Sequence, residues 1–184
     1  MKIEATAIPE VKLITPHKHG DARGFFSEVY KQADFEAAGL RYPFIQDNHS
    51  LSARAGTLRG LHFQSPPFAQ DKLVRVARGR IFDITVDIRR SSPTFGAHIA
   101  VELSAENWRQ LLVPIGFAHG FLTLEPDTEV LYKVTAPYSA SHDRGLAWND
   151  PALGVAWPLP QDGPLLSDKD RHWPRLADLA DAFP

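Results

Sequence analysis

The chain has no cysteine among its 184 residues. That excludes disulfides, thiolate-held metals and cysteine nucleophiles, and it suits a reducing cytosol. It has no excess of either charge: 20 Lys and Arg stand against 22 Asp and Glu, a formal net charge of -2. No global field calls for nucleic acid, so an anionic ligand has to be held by locally placed Arg and Lys. Long hydrophobic runs are missing too, and no stretch approaches the length of a membrane span. The N-terminus, Met1-Lys2-Ile3-Glu4-Ala5, carries an early acid and no apolar run of the signal-peptide kind. A cytoplasmic protein is expected.

What is present fits one globular domain over residues 1–184: hydrophobic residues make up 43% and charged residues 23%. Fifteen prolines and twelve glycines punctuate short apolar runs at close intervals. That rhythm predicts an all-β sandwich or barrel. Strands are expected at Lys12–Thr15, Phe25–Tyr30, Phe44–Ser50, Leu58–Phe63, Leu73–Ala77 and Ile81–Ile88. Others are expected at Ala97–Leu103, Gln110–Val113, Gly120–Leu124 and Glu129–Thr135. Arg78-Gly79-Arg80 reads as a hairpin turn. Short helices are expected at Gln32–Ala38 and at the C-terminal Pro174–Ala182, where Leu176, Leu179 and Phe183 fall on one helical face.

Strand alternation shows which side chains share an interior. Val130, Tyr132 and Val134 form one row, Lys72 has the parity of Val74 and Val76, and Leu58, Gly60, His62 and Gln64 form a third row. Arg59 is off parity with His62, which a bulge at Gly60 or a barrel rim would repair.

Polar groups crowd into a few segments. They include Asp21-Ala22-Arg23-Gly24-Phe25-Phe26-Ser27-Glu28, Gln46-Asp47-Asn48, Arg59-Gly60-Leu61-His62 and Gly116-Phe117-Ala118-His119-Gly120-Phe121. Trp148-Asn149-Asp150-Pro151 and Ser167-Asp168-Lys169-Asp170 complete the set. In this order, from about Ile8 to Pro174, the chain resembles the dTDP-4-dehydrorhamnose 3,5-epimerase family of deoxysugar biosynthesis, isomerases built on a cupin-type jelly-roll barrel. The resemblance implies epimerisation of dTDP-4-dehydro-6-deoxy-D-glucose at carbons 3 and 5, with no metal and no nicotinamide cofactor. It implies His62 as the base that removes a proton next to the ketone. Tyr132 is then the acid on the other face of the ring, Asp170 the carboxylate paired with His62, and Lys72 the cation at the enolate oxygen. Arg23, Phe26, Glu28, Gln46, Asn48, Arg59, His119, Asp143 and Lys169 are implied as contacts to nucleotide, phosphates and sugar, with Tyr138 stacked on the base. The family often has Glu at the position of Asp143. A homodimer is also implied, with N-terminal strands joining the partner's sheet and Arg23 and Glu28 serving its site.

The residue types suit the chemistry. Imidazole, with a pKa near ~6.5, is basic and largely neutral at cytosolic pH, and tyrosine at ~10 stays protonated. Acid and base steps each contribute roughly 10²–10⁴-fold, and a fixed cation at a developing oxyanion is often the largest single contribution. Plainer readings exist for each residue. A lone histidine or a strand tyrosine is usually a satisfied core residue, and Asp168 competes with Asp170 as the partner of His62. His17-Lys18-His19 has the His-x-His spacing of a metal site, but Pro16 and Gly20 around it predict a solvated loop. Inversion of a single carbon, a metal-dependent cupin enzyme and a silent sugar-nucleotide binder are the alternative functions.

Overall fold

A computed structural model of the chain describes residues 1–180 and 183–184. In chain order the strands are β1 (Lys2–Ala5), β2 (Lys12–Thr15), β3 (His19–Asp21), β4 (Gly24–Phe26) and, after the helix α1 (Gln32–Ala37), β5 (Gln46–Ser52). Then come β6 (Leu58–Gln64), β7 (Lys72–Arg78), β8 (Arg80–Asp87) and β9 (His98–Ser104). β10 (Gln110–Val113), β11 (Phe117–Thr123), β12 (Thr128–Val134) and β13 (Asp143–Gly145) complete the series. They form a six-stranded sheet in the order β1-β2-β10-β7-β12-β5 and a five-stranded sheet in the order β13-β6-β11-β8-β9, while β3 and β4 make a separate hairpin. Every strand expected from the sequence has a counterpart, although Phe25–Tyr30 shrinks to β4. The strands β1, β3 and β13 were not expected, being short and poor in apolar alternation.

The two sheets pack face to face through Val74, Val76, Leu111, Val113 and Val130 on one side and Ile81, Ile99, Leu103, Phe117 and Phe121 on the other. The outer face of each sheet is covered as well. Leu61, Phe63, Ile84, Val86 and Ala118 lie under Leu146, Leu153, Leu179 and Phe183 of the C-terminal segment. Ile14, Leu73 and Leu112 lie against Phe35 of α1 and its neighbours. Cover on both faces explains why β8 and β11 are buried along almost their whole length.

Two expectations are corrected. Arg78-Gly79-Arg80 does not close a hairpin: β7 and β8 lie in different sheets, and Gly79 is the corner between them. Its φ is 78°, and a Cβ there would fall 2.3 Å from Thr128 Oγ1. The C-terminal helix is reduced to a 3-10 turn at Leu176–Asp178. Leu179 and Phe183 pack on the sheet instead, and Phe183 exchanges backbone hydrogen bonds with Ile88 and Arg90, so tertiary pairing overrides helical spacing. The part of that expectation on Asp181 and Ala182 lies outside the described residues. At its N-terminal end the six-stranded sheet is extended by β2, paired with β10, and by β1 at the edge. Among the described residues, no helix is long and apolar enough to cross a membrane.

Candidate active site

The inward rows of the two sheets border a cavity of about 580 Å³. Arg59 and His62 of β6, with His119 and Phe121 of β11, line one wall. Lys72 and Val74 of β7, Tyr132 of β12 and Ser50 of β5 line the wall across from it. A strap from Leu165 to Asp170 closes a further side. It is fastened by backbone bonds from Leu165 N to Gly56 O at 2.8 Å and from Leu58 N to Leu165 O at 2.9 Å.

Arg59 reaches the cavity because β6 is bulged. The ladder pairs His119 with His62 but Phe121 with Arg59, so Gly60 and Leu61 of β6 oppose the single Gly120 of β11. His119 and Phe121 share an inward row, and their partners therefore do too. Gly60 lies inside the bulge at φ 131°, and a Cβ on it would come within 2.6 Å of Gly120 Cα. Glycine is required at that contact because the two backbones touch.

His62 Nε2 lies 2.5 Å from Asp170 Oδ1. The buried carboxylate also accepts from Ser167 Oγ at 2.7 Å and from Trp173 Nε1 at 3.2 Å. Burial alone would raise the Asp170 pKa, but the His62, Ser167 and Trp173 donors outweigh it and hold the carboxyl below its ordinary range. For His62, burial dominates and lowers the pKa despite the carboxylate, with Lys169 and Lys72 acting in the same direction as burial. The pair is therefore a neutral imidazole beside an ionised carboxylate. Nε2–H donates to Asp170, and Nδ1, with no hydrogen-bond partner among the described residues, keeps its lone pair. Asp168, the competing carboxylate, is exposed and caps nothing.

Lys72 Nζ donates to the His62 carbonyl at 3.2 Å. Burial lowers its pKa to about 8, against the pull of Asp143 and Asp83. Burial raises the Tyr132 pKa although Arg59 and Lys169 oppose it, so the phenol holds its proton. Its hydroxyl has no hydrogen-bond partner among the described residues. His119 Nε2 meets the two oxygens of Asp83 at 3.0 and 2.8 Å. Asp143 and Tyr138 are not among the residues lining the cavity; Asp143 Oδ2 accepts from the cavity-lining Lys169 Nζ at 2.7 Å and from the exposed Tyr138 hydroxyl at 3.3 Å. Burial works against the Lys169 charge, but the Asp143 carboxylate prevails and raises its pKa.

Other expected site residues are not brought to this cavity. Arg23, Phe26 and Glu28 are exposed on or just after the β3–β4 hairpin, with Arg23 bound to Asp21 at 2.5 Å. The hairpin stands apart from both sheets, which is why these side chains do not reach inward. Gln46 and Asn48 bond to each other at 2.8 Å on β5, in the same row as Ser50 but past the cavity lining. His17 and His19 are exposed with ring centroids 4.3 Å apart, and His19 opens β3. Among the described residues no group of three or more His, Cys, Asp or Glu is placed to hold a metal ion.

Sequence reasoning missed Asp83, Ser167 and Trp173. A signal existed for Asp83, which shares the parity of Ile81 and Thr85 and is an acid in an inward row. The other two contacts depend on how the strap folds back on β6.

The comparisons with known proteins agree with one another. A family model described as dTDP-4-dehydrorhamnose 3,5-epimerase matches residues 5–178. The dTDP-4-dehydrorhamnose 3,5-epimerase of Sinorhizobium fredii is 55% identical over 183 residues, spanning 100% of this chain and 93% of that protein. That of Pseudomonas aeruginosa is 54% identical and spans 100% of both. Among solved structures, the Bacillus anthracis epimerase with TDP and PPi bound is 52% identical, with a TM-score of 0.91 over 95% of this chain and 98% of that one. The jelly-roll barrel, the cavity and these full-length matches together establish that the chain belongs to the dTDP-4-dehydrorhamnose 3,5-epimerase family.

Proposed function

We propose that the protein converts dTDP-4-dehydro-6-deoxy-D-glucose to dTDP-4-dehydro-L-rhamnose by inverting carbons 3 and 5. Both carbons flank the C4 ketone, so each C–H is a weak acid whose anion delocalises onto the ketone oxygen. His62 Nδ1 takes the proton from one face, and the C–H electron pair moves into the enolate. Lys72, the buried amine, stabilises the oxyanion. Tyr132, on the opposite wall, returns a proton to the other face as the enolate collapses to the ketone. One C–H bond breaks and one forms, so no redox partner is needed. After each inversion His62 carries an extra proton and Tyr132 has lost one, so both must exchange with solvent before the next turn.

The observation that carries this reading is an imidazole with one nitrogen free and a phenol without a partner, among the described residues, on facing walls of one cavity beside a buried amine. Arg59 and Lys169 at the cavity suit the diphosphate, because guanidinium and ammonium groups donate to phosphate oxygens. His119, Gln46, Asn48, Asp143 and Tyr138 complete the contacts to sugar and base. Arg23, Phe26 and Glu28 serve the cavity of a second copy in a homodimer. A monomeric mass in solution would remove that part of the proposal.

Incubation with the 4-keto-6-deoxyglucose nucleotide in heavy water tests the reaction. The L-rhamno product should carry deuterium at both C3 and C5. Label at one carbon alone rejects double inversion, and unlabelled, unchanged substrate rejects the reading.

A further inference from the structure

We propose that Trp173 is a positioning residue for the His62–Asp170 pair, seated in a socket that Gly145 leaves open. Gly145 is the partner of His62 across the β13–β6 ladder. A Cβ on Gly145 would fall 2.4 Å from Cδ2 and Cε2 of Trp173 and 2.5 Å from its Nε1. The backbone at Gly145 is not in the left-handed region, so no turn explains the glycine. The indole does: it occupies the volume a side chain would take. From there Nε1–H donates to Asp170 Oδ1, the same oxygen that His62 Nε2 engages. The indole also stands edge-on to the imidazole, with centroids 6.1 Å apart and planes at 74°. A bond from Ala147 N to Pro174 O at 2.8 Å fixes the backbone beside it.

The shared oxygen gives the arrangement its consequence. Two donors on Oδ1 hold the carboxylate in one orientation and draw charge from it. Nε2–H of His62 is thereby aimed, and Nδ1 is turned towards the cavity. Without the indole N–H, Oδ1 serves His62 alone and becomes a stronger acceptor. The imidazolium is then better stabilised, so His62 protonates at higher pH and is a poorer base in neutral solution.

This inference rests on the reading of His62 as the base, and the experiment separates the two. Trp173→Phe keeps a ring in the socket and removes the N–H. It should lower kcat about tenfold, since small misalignment of a catalytic group is costly. KM should change less than about twofold, because the diphosphate contacts are untouched. The acid limb of kcat/KM should move up by about half a pH unit. Gly145→Ala, which displaces the indole, should shift kcat and the limb in the same directions. A merely structural tryptophan would lower the melting temperature and leave the limb in place, and that result overturns the proposal. Should Trp173→Phe fail to fold, Gly145→Ala decides: a folded variant with parental kcat and limb overturns the inference, and a reduced kcat with a raised limb supports it. If His62→Asn retains solvent exchange at C3 and C5, the reading of the base fails instead.

Discussion

Strand β8 carries two aspartates on one inward row, Asp83 and Asp87, whose surroundings are opposite. Asp87 accepts from Arg89 Nε at 2.9 Å and Nη2 at 2.7 Å, from Ser92 Oγ at 2.6 Å, from Thr94 Oγ1 at 2.7 Å and from Arg89 N at 3.0 Å. Arg89 continues to Glu10 at 3.0 Å. Burial would raise the Asp87 pKa, but these donors bring it to about 2. Asp83, fully buried behind the cavity-lining His119, is held by His119 alone among the described residues. Asp87 sits in a saturated cluster, which is what a structural network requires. The cavity that His119 lines holds groups that, among the described residues, have unused capacity: the phenol of Tyr132, Nδ1 of His62, and the Lys72 amine, bonded only to a carbonyl. Buried polar groups left partly unpaired are costly to the fold, so their presence at one end of the strand marks where a ligand completes them.

The widest separation between the two regions should come from His62→Asn, which keeps a donor for Asp170 and removes the proposed base. We expect kcat to fall by about 10⁴-fold, with a melting temperature close to that of the parent. Steady-state rates and a calorimetric scan of one preparation check both halves. A large fall in stability would put His62 with the structural groups.

Lys72→Met comes next. Loss of the cation proposed to face the enolate should cost roughly 10²–10³-fold in kcat, while the melting temperature rises, because a buried ammonium is replaced by a thioether of similar length. The sign follows from linkage. With a folded pKa of about 8 and an unfolded value near ~10.4, the native state binds the proton less readily. The penalty is in full force below about pH 8 and fades as pH rises towards ~10.4. The stabilising effect of Lys72→Met should therefore be larger at pH 7 than at pH 10. In the parent, the same amine should give kcat/KM a basic limb near pH 8, while the lowered His62 pKa should put the acid limb below ~6.5.

Asp87→Asn is the mirror experiment. It should cost about 2–3 kcal/mol, because it leaves the Arg89 charge only partly answered by Glu10. Arg89 is partly exposed, which places the loss at the lower end for a buried pair. A drop of roughly 5–10 °C in melting temperature is expected for a chain of this size, with kcat/KM unchanged at permissive temperature. The Asp87 pKa is depressed, so its contribution is present above pH ~4 and is lost as pH falls through about 2.

Neither aspartate was singled out from the sequence, but much of the cavity side of this contrast was legible there. Tyr132 between Val130 and Val134, and Lys72 in step with Val74 and Val76, were assigned to the interior by parity, and both valine rows are buried. Arg59 appeared as a conflict that a bulge at Gly60 or a barrel rim would repair, and the register shift in the β6–β11 ladder decides for the bulge. What failed were pairings that alternation does not encode. Gly79 looked like a hairpin because a glycine between two apolar strands is the same string whether the chain turns within a sheet or crosses to the other. The C-terminal helix failed because Leu176, Leu179 and Phe183 are spaced for a helix yet are drawn onto the outer face of β8 and its neighbours. Trp173 and Ser167 were invisible for a related reason: their partner Asp170 is local, but the geometry is imposed by β6 and β13, more than a hundred residues upstream in the case of His62.

The finest test of the comparison is Asp83→Asn, set against Asp87→Asn on the same strand. An asparagine at position 83 still offers one oxygen to His119, so the ring keeps a partner while the carboxylate charge is removed. Only one side chain has to readjust, whereas at Asp87 the donors from Arg89, Ser92 and Thr94 all do. The expected loss of stability is therefore under about 1 kcal/mol, close to the net worth of one hydrogen bond. His119 lines the cavity, so the effect should appear in function: about a tenfold rise in KM, with kcat changed less, as for a group that orients bound sugar without moving its protons. Should Asp83→Asn instead destabilise the fold as much as Asp87→Asn and leave KM alone, the two ends of β8 would not differ in kind, and His119 would join the structural residues.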